Sequence, residues 1–151
     1  MRKLLAIILL AALAFAGCGK NDDGESGGGN GGSTKSKLVG LWLCTEYIFA
    51  EETKVQQSME YYDYAKEFTS DGLYSFYDVS KTKFSFSNGY IYGCTKSDFE
   101  KYVTAKYKVE NNVLFVSGFS QGKIVFKSND VFYLTDEDGD TDVYSRVKGF
   151  K

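Results

Sequence analysis

Residues 65–79 read Ala-Lys-Glu-Phe-Thr-Ser-Asp-Gly-Leu-Tyr-Ser-Phe-Tyr-Asp-Val, and this stretch decides the fold. A short run ending in Phe68-Thr69 meets Asp71-Gly72, a pair that tolerates the positive φ of a tight hairpin; an aromatic-rich run follows. Two antiparallel strands are the reading. The unit recurs along the chain, predicting strands over 40–49, 65–69, 73–79, 83–87, 90–95, 103–109, 113–117, 123–127, 131–135 and 142–147. Asn88-Gly89, Asn111-Asn112, Asn129-Asp130 and Asp138-Gly139 supply the other turns.

Two stretches break the pattern. Residues 51–62 have room for a short helix, and Ser97 to Tyr102 for a single turn capped by Ser97 or Asp98. No long amphipathic helix is present to cover a sheet. A sheet carrying most of 12 Phe and 12 Tyr must then bury its apolar face on itself. Consecutive hairpins favour closure over a sandwich, so the expected fold is all-β: a single antiparallel meander barrel of about eight to ten strands over residues 38–151.

The chain opens Met1-Arg2-Lys3, runs uncharged from Leu4 to Gly17, and reaches Cys18. A basic start, an apolar middle and small residues at the end predict a signal peptide over 1–17, with an apolar run shorter than the ~20 residues of a spanning helix. Phe15-Ala16-Gly17-Cys18 resembles the lipobox of bacterial lipoproteins, with Phe where Leu is usual. The resemblance implies acylation of Cys18 and an exported protein anchored by lipid to the outer membrane.

Residues 19–37 contain no apolar side chain able to join a core, and together with Cys18 they read as a lipidated, flexible tether over 18–37. A Gly/Ser-type coil of this length spans roughly 25 Å. Asp22-Asp23-Gly24-Glu25 resembles the acidic export tag of surface-exposed lipoproteins; a solvated linker explains it equally well. Loss of Arg2 and Lys3 leaves 16 basic against 20 acidic residues, and no basic cluster stands out, which argues against nucleic acid as a partner.

Leu38-Val39-Gly40-Leu41-Trp42-Leu43 resembles the Gly-x-Trp opening of lipocalins, and Phe68-Thr69-Ser70-Asp71-Gly72-Leu73-Tyr74 the Phe-x-x-Asp-Gly-x-Tyr hairpin of bacterial lipocalin-like domains. Tyr107 to Leu114 and a closing Val143-Tyr144-Ser145-Arg146-Val147 follow in the same order. The family resemblance implies that an Arg on the last strand stacks on the Trp of the first and closes the barrel floor. Arg146 is the only arginine after Arg2, against 15 lysines in the mature chain, so Gly40, Trp42 and Arg146 are the expected floor.

With no histidine the chain lacks the commonest general base and metal ligand, and no Ser-x-x-Lys set compensates. The reading is a non-enzyme without cofactor. Asp136, Asp138, Asp140 and Asp142 alternate as calcium ligands would, but Val147 stands where an EF-hand needs a bidentate Glu; a hairpin tip explains them with less, and no metal is assigned. Cys44 and Cys94 are open to a disulfide in an exported protein, or are two separate buried thiols.

Taking Trp42 as inward, alternation puts Phe68, Tyr74, Phe76, Tyr107, Phe126, Phe132 and Leu134 inside. They line a cavity for a small apolar or amphipathic ligand, or fill the barrel as core, the commoner role of such a stripe. The alternative function is a solid barrel acting as a structural or protein-interaction module on the cell surface, with Tyr61-Tyr62-Asp63-Tyr64 as its exposed contact.

Overall fold

The computed structural model describes residues 33–50, 55–57 and 63–151, with the backbone alone for 55–57. The predicted signal segment 1–17, Cys18, the acidic 22–25, the tether as far as residue 32, and Tyr61 and Tyr62 lie outside the described residues.

Eight strands form the barrel: β1 (Gly40–Ile48), β3 (Tyr64–Phe68), β4 (Leu73–Asp78), β7 (Glu100–Glu110), β8 (Val113–Val116), β9 (Phe119–Phe126), β10 (Val131–Thr135) and β11 (Thr141–Val147). Each pairs antiparallel with the next, and β11 returns to β1 from Leu41↔Val147 to Ile48↔Thr141, closing the sheet. The expected meander barrel is the observed fold. β2 (Val55–Gln57) pairs with the far half of β1, so part of the 51–62 stretch is strand where a helix was expected; Ile48↔Val55 pairing makes it a hairpin partner.

The turns form where their residues permit. Asn111 and Asn112 take φ of 50° and 61°, the left-handed values a two-residue hairpin requires. Ser117-Gly118 makes a second such turn, at 51° and 84°, which starts β9 at Phe119, four residues before the expected 123.

Two expected strands are not staves of the barrel. β5 (Ser85–Ser87) and β6 (Tyr90–Tyr92) pair with each other, and β12 (Gly149–Phe150) adds to β6 in parallel. This small sheet belongs to a second apolar cluster on the outer face of the barrel. There Phe84, Phe86 and Phe150 pack with Leu41, Leu43, Ala65, Tyr77, Ile91 and Phe99. The predicted one-turn helix is a 3-10 turn, Lys96–Asp98, capped by Thr95 one turn earlier than expected; Asp98 Oδ2 accepts from the Thr95 backbone N–H at 2.7 Å.

The far end of the stretch predicted as a tether, 18–37, is structured. Residues 34–37 belong to helix α1 (Thr34–Leu38), because the Ser33 hydroxyl caps it by accepting from Ser36 N, and Leu38, fully buried, pins it to the core.

Candidate functional site

The barrel interior has two storeys. At the α1 end, Trp42 is fully buried with Phe132 edge-on at 4.7 Å and Phe126 at 6.2 Å, and its Nε1 donates to the Leu38 carbonyl at 2.6 Å. Arg146 lies over the indole, its Cζ 4.1 Å from the ring centroid. The same guanidinium donates from Nη1 to Val39 O at 2.8 Å, from Nη2 to Lys37 O at 2.6 Å and from Nε to Asn129 O at 3.1 Å. Only a planar fork can stack and reach three carbonyls at once. Gly40 has φ of 133°, and a Cβ there would stand 2.9 Å from Nη1, so the position is reserved for glycine by both backbone and space.

Phe68, Tyr74, Tyr107 and Phe132 are buried in the interior cluster, with Phe76 and Phe126 partly buried against it. Phe68 packs on Tyr74 at 5.5 Å and on Tyr107 at 5.1 Å; Phe132 stacks on Tyr144 at 4.8 Å. Rings thus fill the floor storey by touching one another. Tyr107 also donates to the Thr69 carbonyl at 2.9 Å, so its hydroxyl is committed to the barrel wall.

The upper storey is different in kind. Lys66, flanked on β3 by inward Tyr64 and Phe68, is itself inward and only 6% exposed. Its Nζ lies 4.9 Å from the Tyr144 ring centroid and 5.7 Å from that of Tyr64. It makes no hydrogen bond among the described residues. Asp142 faces the same space, but its Oδ2 accepts from Tyr64 OH at 2.7 Å and Tyr144 OH at 3.1 Å. Tyr47 donates to Asp63 at 3.2 Å, and the Cys44 thiol sits among these groups, donating to Glu46 O at 3.7 Å.

Burial lowers the Lys66 pKa, with the charges of Asp142 and Cys44 working against it. Burial raises the phenols of Tyr47, Tyr64, Tyr74 and Tyr144 and pushes the Cys44 thiol up to about 12, with Asp142 adding to every shift. These acids keep their protons in the folded state after the unfolded chain has lost them, so the stability they lend is lost as pH rises. Lys66 acts oppositely: its folded pKa lies below the unfolded value, so stability rises with pH up to that value and then levels off. The free energy of unfolding from urea titrations should therefore fall from about pH 9 to 11, by up to ~1.4 kcal/mol per pH unit for each acid that remains protonated, with Lys66 offsetting the slope of one of them. A midpoint that stays level across this range would show that the cluster is open to bulk water.

Several expected residues play other parts. Cys44 and Cys94 are both free; the first is inside the barrel and the second packs on the outer cluster, so no disulfide joins them. Tyr64 is not an exposed contact, because its ring packs inward on Phe76 at 5.4 Å and Tyr144 at 6.2 Å. The acidic run is a turn: Asp136 Oδ1 accepts from the backbone of Asp138 and Asp140 at 3.0 and 2.9 Å, and Asp140 accepts from Ala50 N at 3.0 Å. No group of metal ligands forms among the described residues. Lys66 and Tyr47 were not singled out from the sequence, and Asp142 was read only in the acidic run, Tyr64 only as an exposed contact and Tyr144 only in the closing motif, although the parity that puts Phe68 inside puts Lys66 inside too.

No protein-family model and no curated protein matches the chain. Among solved structures it is similar to an uncharacterised protein from Bacteroides eggerthii DSM 20697, with a TM-score of 0.50 and 16% identity over 72% of this chain and 98% of that one. At that identity the likeness concerns the fold alone.

Proposed function

We propose that this chain is an exported, lipid-anchored, lipocalin-like lipoprotein whose barrel binds a small amphipathic molecule without chemically changing it. The observation that carries the reading is the buried, unpartnered ammonium of Lys66 in the upper storey. A core needs no such group: turning a lysine into a barrel costs free energy, and its amine, with no protein partner among the described residues, is left open to one from outside. A bound molecule that supplies the missing partner is the explanation favoured here. Binding is preferred to catalysis because Asp142, the carboxylate acting on Lys66, is held by two phenols and is not positioned as a proton carrier. Cys18 carries the lipid in this reading, and the outer membrane is the site of anchorage.

Native mass spectrometry of the full chain, purified gently from its own host and then denatured, tests the reading. A reproducible small-molecule adduct released on denaturation is expected. A clean apo mass, with no binding of hydrophobic probe dyes, would overturn it in favour of a solid barrel that serves as a structural or interaction module.

A further inference from the structure

Within that ligand-binding reading, the upper storey also identifies the chemistry of the ligand. We propose that Lys66 binds the carboxylate headgroup of a monoanionic amphipathic molecule whose apolar part rests on the surrounding aromatic rings.

The first support is hydrogen-bond accounting. Among the described residues, no side-chain nitrogen or oxygen that is sealed from water lacks a partner, and Lys66 Nζ has none. Some of the 6% of Lys66 that remains accessible therefore belongs to the ammonium, which opens onto water-sized space. An ammonium that lacks an acceptor asks for a group rich in acceptor lone pairs. A carboxylate provides about four such sites, whereas an alcohol or amide provides fewer and no charge.

The second support is charge. Lys66 is enclosed by the faces of Tyr64 and Tyr144, which attract a cation but do not neutralise it, and no ion pair is formed by Lys66 among the described residues. Asp142 is too far for a salt bridge and already accepts two phenol protons, so it tempers the field without filling the place of a counter-ion. A charged Lys66 and Asp142 sum to zero, so a monoanion would leave one net negative charge in the storey and a dianionic phosphate two, and in a buried setting the smaller surplus is the less costly.

The third support is the shape of the surroundings. Tyr64, Phe76 and Tyr144 form a run of rings next to the ammonium, at 5.4 and 6.2 Å centroid spacing, so an apolar chain leaving the headgroup meets aromatic surface at once. Below, Phe132 and Trp42 close the floor, which leaves no route for the chain in that direction.

The test compares decanoate with 1-decanol, two probes of the same chain length that differ in the headgroup, by calorimetric titration at neutral pH. The protein is the full chain carrying Cys18→Ser, so that no acyl group on residue 18 competes for the barrel. Wild-type Lys66 should bind decanoate about tenfold or more tightly than decanol, a typical margin for one charge-assisted contact. In Lys66→Met, and in the polar Lys66→Gln, decanoate should fall to the level of decanol while decanol binding stays within about threefold. Equal binding of the two probes by the wild type would overturn the headgroup assignment and leave the ligand-binding barrel standing. Binding of neither probe would overturn both. The preference is read first on the wild type, so the result does not depend on either variant folding.

Discussion

Gly122→Ala should cost the protein a large share of its stability. Gly122 lies in β9 with φ of 128°, a conformation that L side chains rarely adopt, and an added Cβ would stand 2.4 Å from the Thr135 carbonyl oxygen and 2.9 Å from its carbon. These are backbone atoms at the end of β10, so no side chain can swing aside to make room. Backbone strain of about 1–3 kcal/mol adds to overpacking of similar size, giving a loss of roughly 3–5 kcal/mol. A small domain has only about 5–15 kcal/mol in total, so the variant should unfold at a much lower urea concentration than the wild type. Circular dichroism during a urea titration reads this directly. A wild-type midpoint would mean that β9 has another way past β10. The exposed Gly118 serves as the comparison: it also has positive φ, 84°, but nothing within 4 Å of a Cβ, so Gly118→Ala should cost about 1 kcal/mol, the strain alone.

Trp42→Ala is expected to be nearly as damaging. It removes a fully buried indole from between Phe132 and Phe126 and strips the Leu38 carbonyl of its 2.6 Å donor, a loss of about 3–5 kcal/mol by analogy with other aromatic truncations. Trp42→Phe keeps a ring and loses mainly the hydrogen bond, costing about 1–2 kcal/mol. A double-mutant cycle of Trp42→Phe with Arg146→Lys separates the stack from the rest of the floor; a coupling of about 1 kcal/mol is expected from a guanidinium 4.1 Å above the ring. Trp42 is the only tryptophan, so backbone circular dichroism must replace indole fluorescence as the probe. Strict additivity of the two changes would mean that stacking contributes nothing beyond the three hydrogen bonds of Arg146.

Most of the barrel was legible because turn chemistry is local. Asn111-Asn112 and Asp71-Gly72 can do little else between two apolar runs, and each hairpin they set fixes the direction of the next strand. What local pattern cannot reveal is which sheet a strand joins. Residues 83–87 and 90–95 carry the signature of strands, yet β5 and β6 meet β12, a two-residue strand too short to read before the fold is known. The same outer sheet explains the unbroken burial of Leu41, Trp42, Leu43 and Cys44, where a one-sided strand would alternate. Cys44 in β1 and Cys94, two residues past the end of β6, therefore belong to opposite faces of one wall.

The floor was legible through Trp42 and the solitary Arg146, whereas the upper storey was not. Lys66 carries two conflicting signals: hydropathy places lysine in water, and parity with Phe68 places it inside. Packing of the long stem and the attraction of two ring faces settle the conflict inward. Asp142 was read as part of an acidic surface run for the same reason, although it shares the parity of Arg146. In a closed barrel, parity outranks polarity, since turning one residue outward would turn every neighbour on its strand.

The floor also determines how the domain answers to tension. A pull on the chain at Ser33 passes through α1 to Lys37, Leu38 and Val39, whose three successive carbonyls are gripped by Arg146 and Trp42. Beyond them the load enters β1 along its own axis, with β11 bonded on one side and β3 on the other, so the ladders are strained in shear and must fail together. A strand pulled sideways would unzip one bond at a time. The closure of the barrel by its first and last strands thus makes the Ser33 end of the molecule a firm mechanical attachment.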